Sequence, residues 1–152
     1  ELWNGDTADP AMNSGNHVML VGDLIIWLYE SLAGIQSDPA APGFKHIVMK
    51  PVVVGDLAFV TATHHSPYGF IASHWRREGR HFAWEITVPP NTTATVWVPA
   101  HAEAQVSESD RPVGQSTGIV VLRRESDYVV LKVAAGSYRF ESNLITDSAG
   151  QE

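Results

Sequence analysis

The chain has 152 residues, 44% of them hydrophobic and 18% charged, with a formal net charge of -7 and no cysteine. There is enough apolar material for a core, so this is not a disordered acidic protein, and the length fits one domain or a small domain plus part of another. The negative balance argues against nucleic acid or an anionic membrane as a partner, because both require a basic footprint, and the lack of cysteine excludes disulfides and thiolate metal sites.

In chain order, the opening stretch ELWNGDTADPAMNSGNH has the composition of a loop; it does not begin with methionine and carries no signal-peptide pattern. We expect it to be the interior of a longer protein's sequence, with this chain as the tail. Asn13, Ser14 and Asn16 are candidate N-caps for the apolar run that follows. In that run Val18, Val21, Ile25, Leu28 and Leu32 follow the spacing of one helix face. Met19, Leu24, Ile26, Trp27 and Tyr29 make the remaining faces apolar as well, so the helix is expected to be buried on more than one side. Asp23 and Glu30 interrupt it, which favours a core helix over a membrane span. Gly34 fits a left-handed C-cap with Ile35 in the usual hydrophobic contact, and Pro39 and Pro42 forbid continuation.

Beyond Pro39 the pattern changes to short strands. GFKHIVMKPVVV starts the β region; LAFVTATHHS and GFIASHWRRE flank a Pro-Tyr-Gly hairpin turn. In RHFAWEITV, Phe82, Trp84, Ile86 and Val88 alternate with His81, Ala83, Glu85 and Thr87, the pattern of a half-buried strand. TATVWVP places Ala94, Val96 and Val98 on one face, and GQSTGIVVLRR, DYVVLKVAAG and SYRFES supply further strands, with turns at Asp127 and Gly136. Asp38 and Asp56 sit beside Pro39 and Gly55, Asp110 stands two residues before Pro112, and all three read as turn residues. The expected fold is mainly β, an antiparallel, jelly-roll-like β-sandwich preceded by one long helix. The expected segments are 1–38 for the loop and helix, 39–142 for the sandwich and 143–152 for a flexible tail.

Four blocks, MNSGNHVMLVGDLIIWLYESLAGI, PGFKHIVMKP, SPYGFIASHW and WEITVPPNTTATVWVP, resemble in order and spacing the C-terminal region of inverting bacterial α-L-rhamnosidases. The resemblance is strong over residues 1–99 and architectural beyond. In that family an (α/α)6 barrel carries catalysis and a β-sandwich follows. It implies that the helix from His17 to Ala33 is the last barrel helix, and that its apolar faces want partners from the preceding part of the enzyme. It also implies that ELW is the second half of a tryptophan-glutamate-x-tryptophan segment.

Inverting glycoside hydrolysis uses two carboxyl groups roughly 6.5–9.5 Å apart, one acid and one base that activates water. The resemblance makes Glu1 the general base, with the acid upstream of this chain. The isolated chain is then inactive. It makes Trp3 an apolar wall beside the rhamnose ring and His17 a ligand of sugar hydroxyls, since histidine both donates and accepts. Asn13 either caps the helix or touches substrate. The implied partners are rhamnosylated glycosides or polysaccharides and the remaining N-terminal part of the enzyme, and the apolar helix makes a homo-oligomer of the isolated chain an expectation. No cofactor is implied.

Other constellations are bland. His64 and His65, with His46, His74 and His81, invite a metal reading, but adjacent strand residues point to opposite faces and no carboxylate stands at ligand spacing, so no metal site is expected. Trp75, Trp84 and Trp97 lie on strands; in an exposed row they would form a carbohydrate platform, whereas the commoner place of strand tryptophans is a core or a domain interface. The sandwich is accordingly also weighed as a non-catalytic carbohydrate-binding or barrel-capping module. Asn91 to Thr93 fits an N-glycosylation sequon and, more simply, a turn between strands.

Overall fold

The computed structural model of the chain describes residues 18–101 and 103–144. A helix α1, Val18–Trp27, runs into a π-helical turn, Leu28–Leu32. The strands are β1 (Ile35–Ser37), β2 (His46–Met49), β3 (Phe59–Ser66), β4 (Gly69–Glu78), β5 (His81–Val88), β6 (Thr93–Pro99), β7 (Ser107–Glu108), β8 (Arg111–Pro112), β9 (Ile119–Arg124), β10 (Tyr128–Val133) and β11 (Gly136–Asn143). They form a five-stranded sheet ordered β1-β2-β6-β10-β9 and a six-stranded sheet ordered β3-β4-β5-β11-β7-β8.

The sandwich follows from alternation. On β5, Phe82, Trp84, Ile86 and Val88 are buried, and on β6 Ala94, Val96 and Val98 are buried, as their spacing predicts. They meet Ile47 and Met49 of β2, Ile71 and Trp75 of β4, Val129, Leu131 and Val133 of β10 and Phe140 of β11 in one core. Pairing is antiparallel except between β2 and β6, which run parallel, His46 opposite Thr93. A parallel pair cannot be closed by a hairpin, and the long excursion through the other sheet between β2 and β6 supplies the crossover.

Three features were not legible in the sequence. Strand β1 directly follows Gly34, where a post-helical contact alone was expected. The helix ends in a π turn, in which the Ala33 N–H donates to the Leu28 carbonyl at 3.0 Å. The two short strands of the β7–β8 hairpin were not expected, although the turn at Asp110 was: Ser109 and Asp110 are both left-handed, with φ of 48° and 64°, the signature of a two-residue primed turn. The turns at Asp38 and at Pro67–Gly69 are as expected: Asp38 Oδ1 accepts from the Ala40 N–H, and Ser66 and Gly69 close β3 onto β4. Strand β11 runs to Asn143, and the Leu144 N–H donates to the Arg80 carbonyl at 2.8 Å.

Asp110 holds its φ of 64° against the preference of a residue carrying a Cβ. Asp110→Gly is expected to raise stability by up to about 1 kcal/mol, measured as a higher urea midpoint at unchanged slope. A lowered midpoint would mean that the aspartate side chain contributes more than its backbone costs.

Candidate functional site: the helix junction and the outer groove

A helix leaves its last carbonyls without intrahelical partners, and a buried end needs donors from elsewhere. Here the sandwich supplies them. The Gln36 side-chain amide donates to the Glu30 carbonyl at 2.8 Å, and the Val52 N–H to the Ser31 carbonyl at 2.9 Å. The Trp75 indole N–H donates to the Leu32 carbonyl at 2.8 Å, and the Ser73 hydroxyl to the Ala33 carbonyl at 2.6 Å. Ser73 Oγ in turn accepts from the Trp84 indole N–H at 2.9 Å. Ser73, Trp75 and Trp84 are all at most 2% exposed, so each polar atom is matched where water cannot substitute.

Strand periodicity puts these donors in place. Ser73 and Trp75 are inward positions of β4, and Trp84 stands opposite Trp75 on β5. The chain then turns at Gly34, whose φ is 71° and whose carbonyl accepts from the Lys50 N–H at 2.9 Å. A Cβ on Gly34 would overlap the Lys50–Pro51 peptide, so only glycine fits. Tyr29 adds a contact at the sheet edge: its hydroxyl donates to the Thr63 carbonyl at 3.3 Å, and its ring meets His64 edge-on.

Upstream of this anchor the helix is bare. Val21, Leu24, Ile25, Ile26, Trp27, Leu28 and Tyr29 are between 38% and 56% exposed, on all sides of the helix. Adjacent large apolar side chains left in water mark a surface built to be covered.

A second feature lies on the outer face of the six-stranded sheet. Thr61, His74, Glu85 and Arg139 stand directly opposite one another across β3, β4, β5 and β11. The next row is Phe59, Arg76, Ala83 and Glu141. Ala83 has no side chain beyond Cβ, so the face dips there into a groove of about 490 Å³ that reaches Glu78 and His81. Arg139 pairs with Glu141 at 2.7 Å, and His81 approaches the same carboxylate at 3.6 Å. His74 Nδ1 is buried without a hydrogen-bond partner among the described residues.

Trp75 and Trp84 are core residues buried between the sheets, and with Trp97 they form no exposed row. Trp97 lies half-buried on the outer face of the other sheet, its ring flanked by Lys50 at 5.7 Å and Arg123 at 5.8 Å. Lys50 also lies 5.2 Å from the ring of Tyr128, whose hydroxyl pKa is pushed up by burial and by the charges of Asp127 and Glu125. Histidines 64 and 74 occupy opposite faces of their sheet, so they do not meet. Glu1, Trp3, Asn13 and His17 lie outside the described residues. The junction donors and the outer row had no single-residue signal, because both depend on which strand positions face each other.

Residues 34–112 match the family described as the bacterial alpha-L-rhamnosidase C-terminal domain. The chain belongs to this family. Its first matched residue is Gly34, the turn at the junction. An alpha-L-rhamnosidase of Streptomyces avermitilis is 34% identical over 92% of this chain and 13% of its own length. The crystal structure of the Streptomyces avermitilis alpha-L-rhamnosidase complexed with L-rhamnose is similar with a TM-score of 0.72, at 33% identity over 88% of this chain and 12% of that one. The alpha-L-rhamnosidase of Dictyoglumus thermophilum is similar with a TM-score of 0.72, at 32% identity over 86% of this chain and 14% of that one. The rhamnosidase domain thus spans a small fraction of the relatives it matches.

Two substitutions probe the junction. Ser73→Ala leaves the Ala33 carbonyl and the Trp84 N–H unmatched and is expected to cost about 2–4 kcal/mol of unfolding free energy. Gly34→Ala combines a left-handed backbone with overlap on Pro51 and is expected to cost about 2–5 kcal/mol. Urea unfolding followed by tryptophan fluorescence reads both; a Ser73→Ala protein as stable as the parent would remove the junction from the forces that hold the fold.

Proposed function

We propose that the chain is the C-terminal part of an α-L-rhamnosidase that hydrolyses terminal α-L-rhamnosyl residues with inversion, and that the isolated chain is inactive. One observation carries this reading: the similarity at a TM-score of 0.72 to the Streptomyces avermitilis enzyme complexed with L-rhamnose. The bare apolar helix supports it, because a helix exposed on all sides is what remains when its barrel neighbours belong to another stretch of sequence.

Within the whole enzyme Glu1 accepts a proton from the attacking water, while a carboxylic acid from elsewhere protonates the leaving oxygen on the opposite side of the bond. Trp3 lines the apolar side of the rhamnose, and His17, with Asn13, hydrogen-bonds its hydroxyls. The helix carries this loop, and the junction fixes the helix, so the sandwich sets the orientation in which these residues are held. Rhamnosylated glycosides or polysaccharides are the substrates, and the preceding part of the enzyme is the partner of the helix.

In the full-length enzyme, Glu1→Gln in this numbering is expected to lower kcat on an aryl α-L-rhamnoside at least ~10²-fold with little change in KM. Wild-type turnover in that variant would remove Glu1 from the mechanism. The isolated chain is expected to self-associate through its helix. Leu24→Lys with Ile26→Lys then yields a monomer by sedimentation velocity, whereas a parent chain already monomeric at high concentration would contradict the role given to the helix.

A second reading, a non-catalytic carbohydrate-binding module, is favoured by the groove around Ala83 and is compatible with the first.

A further inference from the structure

We propose that the groove on the outer face of the six-stranded sheet is a saccharide-binding site, taking a neutral glycan of the rhamnosylated class on Phe59, Arg76, His74 and Glu85. Its ligand class rests on the rhamnosidase reading above; the site itself rests on the groove.

The groove has a designed floor and unspent walls. Ala83 is the smallest residue in its row, flanked by Arg76 and Glu141 across the ladder and by His81 and Glu85 along the strand. The resulting volume of about 490 Å³ lies in the range of small-ligand sites, roughly 300–1,000 Å³. A surface kept only for solubility would pair or disperse its charges. Here the side chains of Arg76, Glu78 and Glu85 make no ion pair among the described residues, although they line one depression. Phe59, at one end, is 63% exposed.

The chemistry selects a neutral polyol over an anion. Arg76 and Arg139 are offset in the groove by Glu78 and Glu85, so no net positive charge awaits a phosphate or sulfate. Guanidinium groups only donate, carboxylates only accept, and a sugar hydroxyl does both, so neighbouring hydroxyls suit a wall that alternates the two. His74 lines the same wall. An exposed phenyl ring beside such a wall accepts the C–H face or methyl group of a deoxyhexose. Because β4 and β5 also carry Ser73, Trp75 and Trp84 on their inner faces, a ligand here would sit on the strands that hold the helix.

The test is an NMR titration of the 152-residue chain, bearing Leu24→Lys and Ile26→Lys for solubility, with methyl α-L-rhamnoside and with a rhamnose-terminated disaccharide, and with sodium sulfate as the anion control. The expected result is saturable millimolar binding of the saccharides, with amide shifts centred on Thr61, His74, Ala83 and Glu85 and none of that pattern with sulfate. Ala83→Ile fills the floor with a residue suited to a strand, and Glu85→Gln removes a charged acceptor at constant size. Each is expected to weaken binding at least ~10-fold while the core amide spectrum is kept. Absence of saccharide shifts at tens of millimolar, equal binding by Ala83→Ile, or shifts produced by sulfate alone would each overturn the proposal. These outcomes leave the rhamnosidase reading where the Glu1→Gln enzyme puts it, and a silent Glu1→Gln enzyme does not establish the groove.

Discussion

The carbonyls at the end of the helix impose the constraint on which the rest of the structure depends. A helix that stops inside a protein must find donors for its last backbone oxygens, and each failure costs about 1–3 kcal/mol. Glu30, Ser31, Leu32 and Ala33 find theirs in Gln36, Val52, Trp75 and Ser73, from both sheets and from the segment that links them. Four donors spread over that many elements cannot be satisfied by a helix in another orientation. The exit direction of α1 is therefore a property of the sandwich, and Gly34, the one residue that can make the turn, is where the family match begins.

The same two strands serve both faces. On β4, Ser73 and Trp75 point inward and His74 and Arg76 outward; on β5, Trp84 points inward and Ala83 and Glu85 outward. Register is the shared currency. A slip of one residue between β4 and β5 would turn the indole donors to water and the charged row into the core, so helix anchoring and the outer groove stand or fall with one alignment of strands. The aromatic ladder Trp75, Phe82, Trp84 and Phe140, with ring centroids 5.8 to 6.3 Å apart, is what makes that slip costly.

Periodicity made much of this legible in advance. The alternation in RHFAWEITV and TATVWVP, the Pro-Tyr-Gly turn and the glycine after the helix follow from single-residue preferences, and the structure carries them as read; the apolar helix is there too, but the side chains expected to be buried on more than one side stand exposed from Val21 to Tyr29. What pairing decides was not legible. Ile35–Ser37 is too short to announce itself as a strand, and it becomes one because β2 lies alongside. The parallel register of β2 on β6 has no local signature. Ser73 is an ordinary small residue in a strand until Trp84 and the Ala33 carbonyl converge on it. The row from Thr61 to Arg139 exists only once four strands are aligned. Glu1, Trp3, Asn13 and His17 stand on the resemblance to rhamnosidases and on the chemistry of inverting hydrolysis, outside the described residues.

Hydrogen exchange on the 152-residue chain, resolved at single amides, tests the central claim most directly. If the sandwich holds the helix end, the amides of Ala33, Lys50 and Val52 are protected to the level of Trp75 and Trp84 in the core strands, while those at the start of α1 exchange much faster. Exchange of Ala33, Lys50 and Val52 at the rate of an unstructured peptide, with β4 and β5 still protected, would contradict it: the helix would then be a loose appendage, and the sandwich would not set its direction.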